Sequence, residues 1–242
     1  MTDLPFQAVV FLGSFLTFTL ELMAAKLLLP RFGGSAYVWT TCVIFFQALL
    51  LAGYGWGHAA LGRWGARRYS RVHLVLLLAP FFFFPLRLPE ASAAAPMLDL
   101  SWALLRSAGV PFFVLSTTIL VIQGWHAGAR KGGDGYFLFA ASNMGALAAL
   151  ASYPFLIEPL LTLRSQTFLW FGLYSLYAVL HLFCLPGSFN EAAPDTSAVL
   201  PVTSRDRLLW LLLSAAPCAA MLATTNLLTF DFAAVPLLWT AP

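Results

Sequence analysis

Glu21 stands inside an apolar run from Leu4 to Pro30, LPFQAVVFLGSFLTFTLELMAAKLLLP. About 20 apolar residues suffice to span a bilayer. An acid near the centre of such a span costs roughly 2.5–3.5 kcal/mol on insertion scales, so it normally faces protein or a wet cavity and marks a candidate site. Ser14, Thr17 and Glu21 follow one another at helical spacing, with Ala24 and Ala25 next, which puts them on one side of a helix. That face turns Glu21 toward other helices rather than toward lipid. The chemistry open to it is that of a proton- or cation-handling carboxylate, or a contact for a cationic solute; the other reading is a purely structural acid. Lys26 lies about 140° round an ideal helix from Glu21, so it pairs poorly with it and is expected to snorkel to the interface. A partner must come from another span. Gln47 and Asn143 are the candidates, and a direct contact would place one of them ~3–4 Å away.

Few other residues invite chemistry. Asn143 reads either as interhelical hydrogen-bond glue or as a cavity-lining polar group. Glu158, at the edge of its span, is expected to form a solvated pair with Arg164. His58 reads as interfacial, and a lone histidine makes no metal site. Cys42, Cys184 and Cys218 lie in apolar segments without CxxC spacing and read as buried small hydrophobes. The chain holds no HExxH, GxSxG or phosphate-binding glycine loop, and no GxGxxG. No catalytic residue, metal or cofactor is therefore assigned.

The elements that must position Glu21 are transmembrane helices. The chain is 60% hydrophobic and 10% charged, where a soluble domain carries about 25% charged residues. Its mean hydropathy is +0.82. The expected fold is an all-α polytopic bundle of about seven spans, near 4–29, 37–60, 73–88, 102–122, 136–157, 167–186 and 207–230. Pro80 and Pro85 bend or end the short third span. Residues 187–206 read as a polar Pro/Ser/Ala loop. Residues 231–242 read as the opening of a further apolar segment, so the chain is expected to be truncated at its C-terminus. No secretory signal peptide is expected: Asp3 replaces a basic n-region and the first apolar run is too long.

Orientation follows the basic residues. With the N-terminus in the cytoplasm, eight of the 13 Lys and Arg residues fall on the cytoplasmic side, half of them in the loop GRWGARRYSR. The net charge of +3 is small and points to no nucleic-acid partner. Small residues supply the expected packing faces: Gly53 and Gly57 form a GxxxG pair, and Ala141, Gly145 and Ala149 form a stripe at spacing four. Gly33 and Gly34 allow a tight turn between the first two spans, with Tyr37 and Trp39 suited to the membrane–water boundary. Pro154 is placed to kink the fifth span.

Three stretches carry a family resemblance: LELMAAKLLLPRFGGSAYVWTTCVI, YFLFAASNMGALAALASYPFLIEPLLTLRSQ and LLTFDFAAVPLLWTAP. Together they resemble the membrane domain of bacterial fused major-facilitator/spermidine-synthase-like proteins. Glu21, Gly33, Tyr37, Trp39, Asn143, Pro154, Glu158 and Trp239 match the pattern, without assigned roles. The basic loop after the second span is similar in position to the cytoplasmic loop between the second and third helices of facilitators, although the usual acid is absent. The resemblance implies an inner-membrane, facilitator-like module, with further helices and a soluble domain in some members. It makes a polyamine a natural candidate solute. The sequence therefore leads to a transporter-like module with Glu21, Ser14, Thr17, Gln47 and Asn143 at its site. The alternative is a membrane anchor or regulatory domain for an aminopropyltransferase-like enzyme. An intramembrane enzyme acting on lipid would need a convergent nucleophile and base, which the spacing does not supply.

Overall fold

The computed structural model describes residues 3–33, 35–83, 96–130, 135–185 and 203–232. These residues are helical throughout, with no strand among them. Helix α1 (Leu4–Phe32) starts with a proline in its first turn and stops at Gly33, whose φ of 75° is left-handed. It packs against α6, α8, α4 and α5 and so forms the centre of the bundle. Leu16, Leu20, Met23 and Leu28 are fully buried along it.

Helix α2 (Ala36–Leu76) is capped by the Ser35 side chain, which accepts a hydrogen bond from the Val38 amide at 3.4 Å. Gly65 interrupts it with φ 70° and ψ 166°, a conformation open to glycine at little cost. After this break the backbone is helical again as far as Leu76, then winds into a 3-10 turn at Ala79–Phe83. This corrects two expectations. The basic stretch GRWGARRYSR, expected as a loop, breaks at Gly65 and is helical on either side of it, and the Arg68 guanidinium lies over the Trp64 ring at 5.6 Å. The start of the expected third span, His73 to Leu76, is the tail of α2, because the phenylalanine run tightens at Pro80 instead of extending. Residues 84–88 lie outside the described residues, as do most of the 187–206 loop and residues 233–242 with Trp239.

One crossing is built from four pieces: α3 (Pro96–Leu104), a π-helical turn at Leu105–Gly109, α4 (Val110–Ser116) and, after Thr117, α5 (Thr118–Arg130). Another comprises α6 (Tyr136–Ser152), a second π turn at Tyr153–Ile157 that holds Pro154, and the short α7 (Glu158–Leu160). Then come α8 (Leu163–Phe183) and α9 (Ser204–Phe232).

Among the described residues, five helices are long and apolar enough to cross a membrane: Leu4–Phe32, Val38–Gly65, Leu98–Ala127, Tyr136–Leu160 and Ser204–Thr224. Of the seven expected spans, the third begins in the tail of α2 and runs into residues 84–88, outside the described residues, and the sixth, α8, is not among these five. Gln166, Thr167, Trp170, Tyr174, Tyr177 and His181 recur along α8 at helical spacing and all are buried. Its outer face is apolar, with Phe168, Leu176 and Phe183 exposed. Polar side chains inside and apolar ones outside is the arrangement of a helix in lipid. Helix α9 goes further, since no residue of Ser204–Thr224 is buried. Cys218 therefore departs from the expectation of burial and lies exposed on it, whereas Cys42 and Cys184 are buried. The chain is a helical membrane protein.

Candidate functional site

Close approach of α6 to α1 creates the site. Gly145 lies where the Phe11 backbone passes, and a Cβ there would run into the Phe11 carbonyl. Gly145 and Ala149 are buried at this contact side and Ala141 is half-buried. Further along α6, the Ser142 hydroxyl reaches the Ser14 hydroxyl at 2.7 Å. On α2, a Cβ at Gly53 would collide with Ser116 of α4, and one at Gly57 would meet Leu120 and Tyr69. These glycines bring α2 against α4 and α5.

Between α1, α2, α4, α5 and α6 a cavity of about 240 Å³ remains. Ser14, Thr17 and Glu21 from α1, Gln47 from α2 and Asn143 from α6 all line it. Ser116, Thr118, Ser142 and Tyr54 add polar groups, and Phe18 and Phe112 add aromatic ones. Gln47 and Asn143 are exposed, so the cavity is not sealed, while Glu21 is half-buried. Glu21 does not take the direct partner expected of it: among the described residues its carboxylate has no hydrogen bond or ion pair. Cys42 of α2 lies within its electrostatic reach. The carboxylate opens into shared space with Gln47 and Asn143 instead of bonding to either. Glu21 is the one carboxylate among the lining residues, and no Lys, Arg or His lines the cavity among the described residues.

Two of the hydroxyl protons are already committed to backbone carbonyls. Thr17 Oγ1 donates to the Gly13 carbonyl at 2.8 Å, and Ser116 Oγ donates to the Phe113 carbonyl at 2.7 Å. A hydroxyl has one proton, so both oxygens can offer only lone pairs to the cavity. Thr118 pairs with the Tyr177 hydroxyl of α8. With one carboxylate and no cation, such a wall suits a positively charged, hydrogen-bond-donating guest.

Lys26 finds its partner on another crossing and not on its own helix. Its Nζ is 2.9 Å from Glu158 Oε1, so it ties α1 to the end of the α6–α7 crossing. Glu158 thus pairs with Lys26, while Arg164 lies over the Phe168 ring at 5.9 Å. At the opposite end of α1, Asp3 Oδ1 is 3.3 Å from His126 Nε2.

Sequence reasoning missed a sealed polar cluster beside the cavity. His73 and His181 are fully buried with ring centroids 5.4 Å apart, enclosed by Trp125 and Tyr177. Their tautomers follow from their partners. His181 Nδ1 lies 2.9 Å from the Tyr177 carbonyl, which can only accept, so Nδ1 carries the proton. The Thr117 hydroxyl donates to the Val114 carbonyl at 2.8 Å, so it can only accept from His73 Nδ1 at 3.2 Å. Both Nε2 atoms are left as bare lone pairs, buried and without a partner among the described residues. Trp125 Nε1 donates to Ser70 Oγ at 2.6 Å, Trp170 Nε1 to the Leu16 carbonyl at 3.0 Å and Tyr174 to the Leu77 carbonyl at 2.9 Å. The signal that could have found this cluster is the polar-aromatic periodicity of α8. No trio of His, Cys, Asp or Glu placed to hold a metal ion occurs among the described residues. Compared with protein-family models, curated proteins and solved structures, the chain matches none.

Proposed function

We propose that this chain is a transporter-like membrane module that receives a small cationic solute in the Glu21 cavity. One observation carries the reading: an unpartnered carboxylate shares an intramembrane cavity with neutral polar groups and no lining cation among the described residues. Intramembrane acids in wet cavities are typical of ion and substrate pathways. A site formed where several helices converge, with small residues permitting close packing, supports the same reading.

The facilitator-like architecture, the bacterial inner membrane and a cytoplasmic N-terminus are part of this proposal. They rest on the family resemblance and on the excess of Lys and Arg on one side. The resemblance also makes a polyamine the first solute to try. Uptake of labelled amines, spermidine among them, into proteoliposomes containing the wild type or Glu21→Gln tests the reading. Wild-type uptake above empty liposomes, lost at least tenfold in Glu21→Gln, is the expected result. Equal uptake by both, or none above empty liposomes for any amine, would sink it and leave the anchor reading as the better account.

A further inference from the structure

We infer that the cavity selects a singly charged amine bearing N–H groups, a primary monoamine in its ammonium form, over a polyamine. This rests on reading the cavity as a solute site and names the class of solute it holds.

The first argument is charge. Glu21 is the only carboxylate among the described residues that line the cavity. Carboxylates at the two ends of α1 are already engaged, Glu158 with Lys26 and Asp3 with His126. In an apolar surround, a charge without a counter-charge is strongly disfavoured. One ammonium inside the cavity is balanced by Glu21. The second and third ammonium groups of a polyamine find only neutral groups among the described lining residues, Gln47, Asn143 and hydroxyls.

The second argument is the direction of the hydrogen bonds. Thr17 and Ser116 point their protons at backbone carbonyls and present acceptors alone. One of the two protons of Ser14 and Ser142 is committed to the bond between their oxygens at 2.7 Å. An –NH₃⁺ group brings three donors and no acceptor, which matches such a wall. A quaternary ammonium has the charge without the donors and leaves those lone pairs empty. Phe18 and Phe112 line the same space and offer an apolar surface to a short alkyl chain.

Titration calorimetry on the detergent-purified full chain tests this with n-butylammonium, putrescine, spermidine and tetramethylammonium. The expected order puts butylammonium at least tenfold tighter than spermidine and tighter than tetramethylammonium. Glu21→Gln should lose at least tenfold in butylammonium affinity. Asn143→Asp, which adds a second carboxylate to the cavity, should move the preference toward putrescine. Each variant is first shown to be folded by its melting profile. Tighter binding of spermidine than of butylammonium, unchanged butylammonium affinity in Glu21→Gln, or no amine binding at all would overturn the inference. Its failure is separable from that of transport. Monoamine binding without uptake removes transport and keeps the selection; faster uptake of spermidine than of butylammonium keeps transport and removes the selection.

Discussion

Two polar regions meet at the junction of α4 and α5, where Thr117 serves one and Thr118 lines the other. The histidine–aromatic cluster is closed: His73, His181, Tyr174 and Trp125 are buried, and most of its donors are matched to acceptors on neighbouring helices. The Glu21 cavity is open, and its carboxylate has no hydrogen bond among the described residues. The difference separates two uses of polarity inside a membrane. In the sealed cluster, hydrogen bonds between helices contribute to stability, since each buried group left unmatched costs about 1–3 kcal/mol. In the cavity, unmatched groups cost stability and remain available to a guest.

Substitutions can break or sharpen this contrast. The largest expected effect lies in the sealed cluster. Trp125→Ala removes a buried indole and its bond to Ser70 and should destabilise the protein by about 3–5 kcal/mol, read as a shift of the unfolding midpoint in detergent. A loss below about 1 kcal/mol would mean that the cluster is not the structural unit described. In the cavity the sign should reverse. Glu21→Gln loses no hydrogen bond among the described residues and should leave stability unchanged or raise it by on the order of 1 kcal/mol, measured the same way. A fall of about 2 kcal/mol or more would assign Glu21 a structural role and erase the contrast. The smallest effect belongs to the exposed pair at the end of α1. Lys26→Ala should cost no more than about 1 kcal/mol, and added salt should shrink the difference further.

Local spacing made part of this legible. Ser14, Thr17 and Glu21 share a helix face by sequence alone, and they share the cavity wall. Gln47 and Asn143 could be named as reachable polar groups because few others occur in the spans. Their separation from Glu21 by open space was not legible, because a cavity is a property of packing and not of any one helix. The Lys26–Glu158 pair escaped for a related reason: periodicity places Lys26 relative to its own helix and says nothing about what α6 and α7 bring to it. The break between the second and third expected spans falls at Gly65, where a single positive-φ residue leaves the flanking segments helical and hides the boundary from hydropathy. The histidine cluster joins residues far apart in the chain. Its trace in the sequence was the buried polar face of α8, which the apolar average of that helix masked.

The π turn at Leu105–Gly109 carries a consequence for how this protein tolerates insertions and deletions. A π turn holds one residue more than the α-helical turn it replaces. Deleting one residue there would restore a regular helix with the faces beyond it nearly unchanged, whereas winding all of its residues as regular α-helix would rotate everything beyond it by about 100°. Phe112, Leu115 and Ser116, which now form one wall of the cavity, would swing to a neighbouring face. The turn thus acts as a phase adjuster, setting which side of α4 the cavity meets independently of the hydrophobic pattern that holds the helix in the membrane.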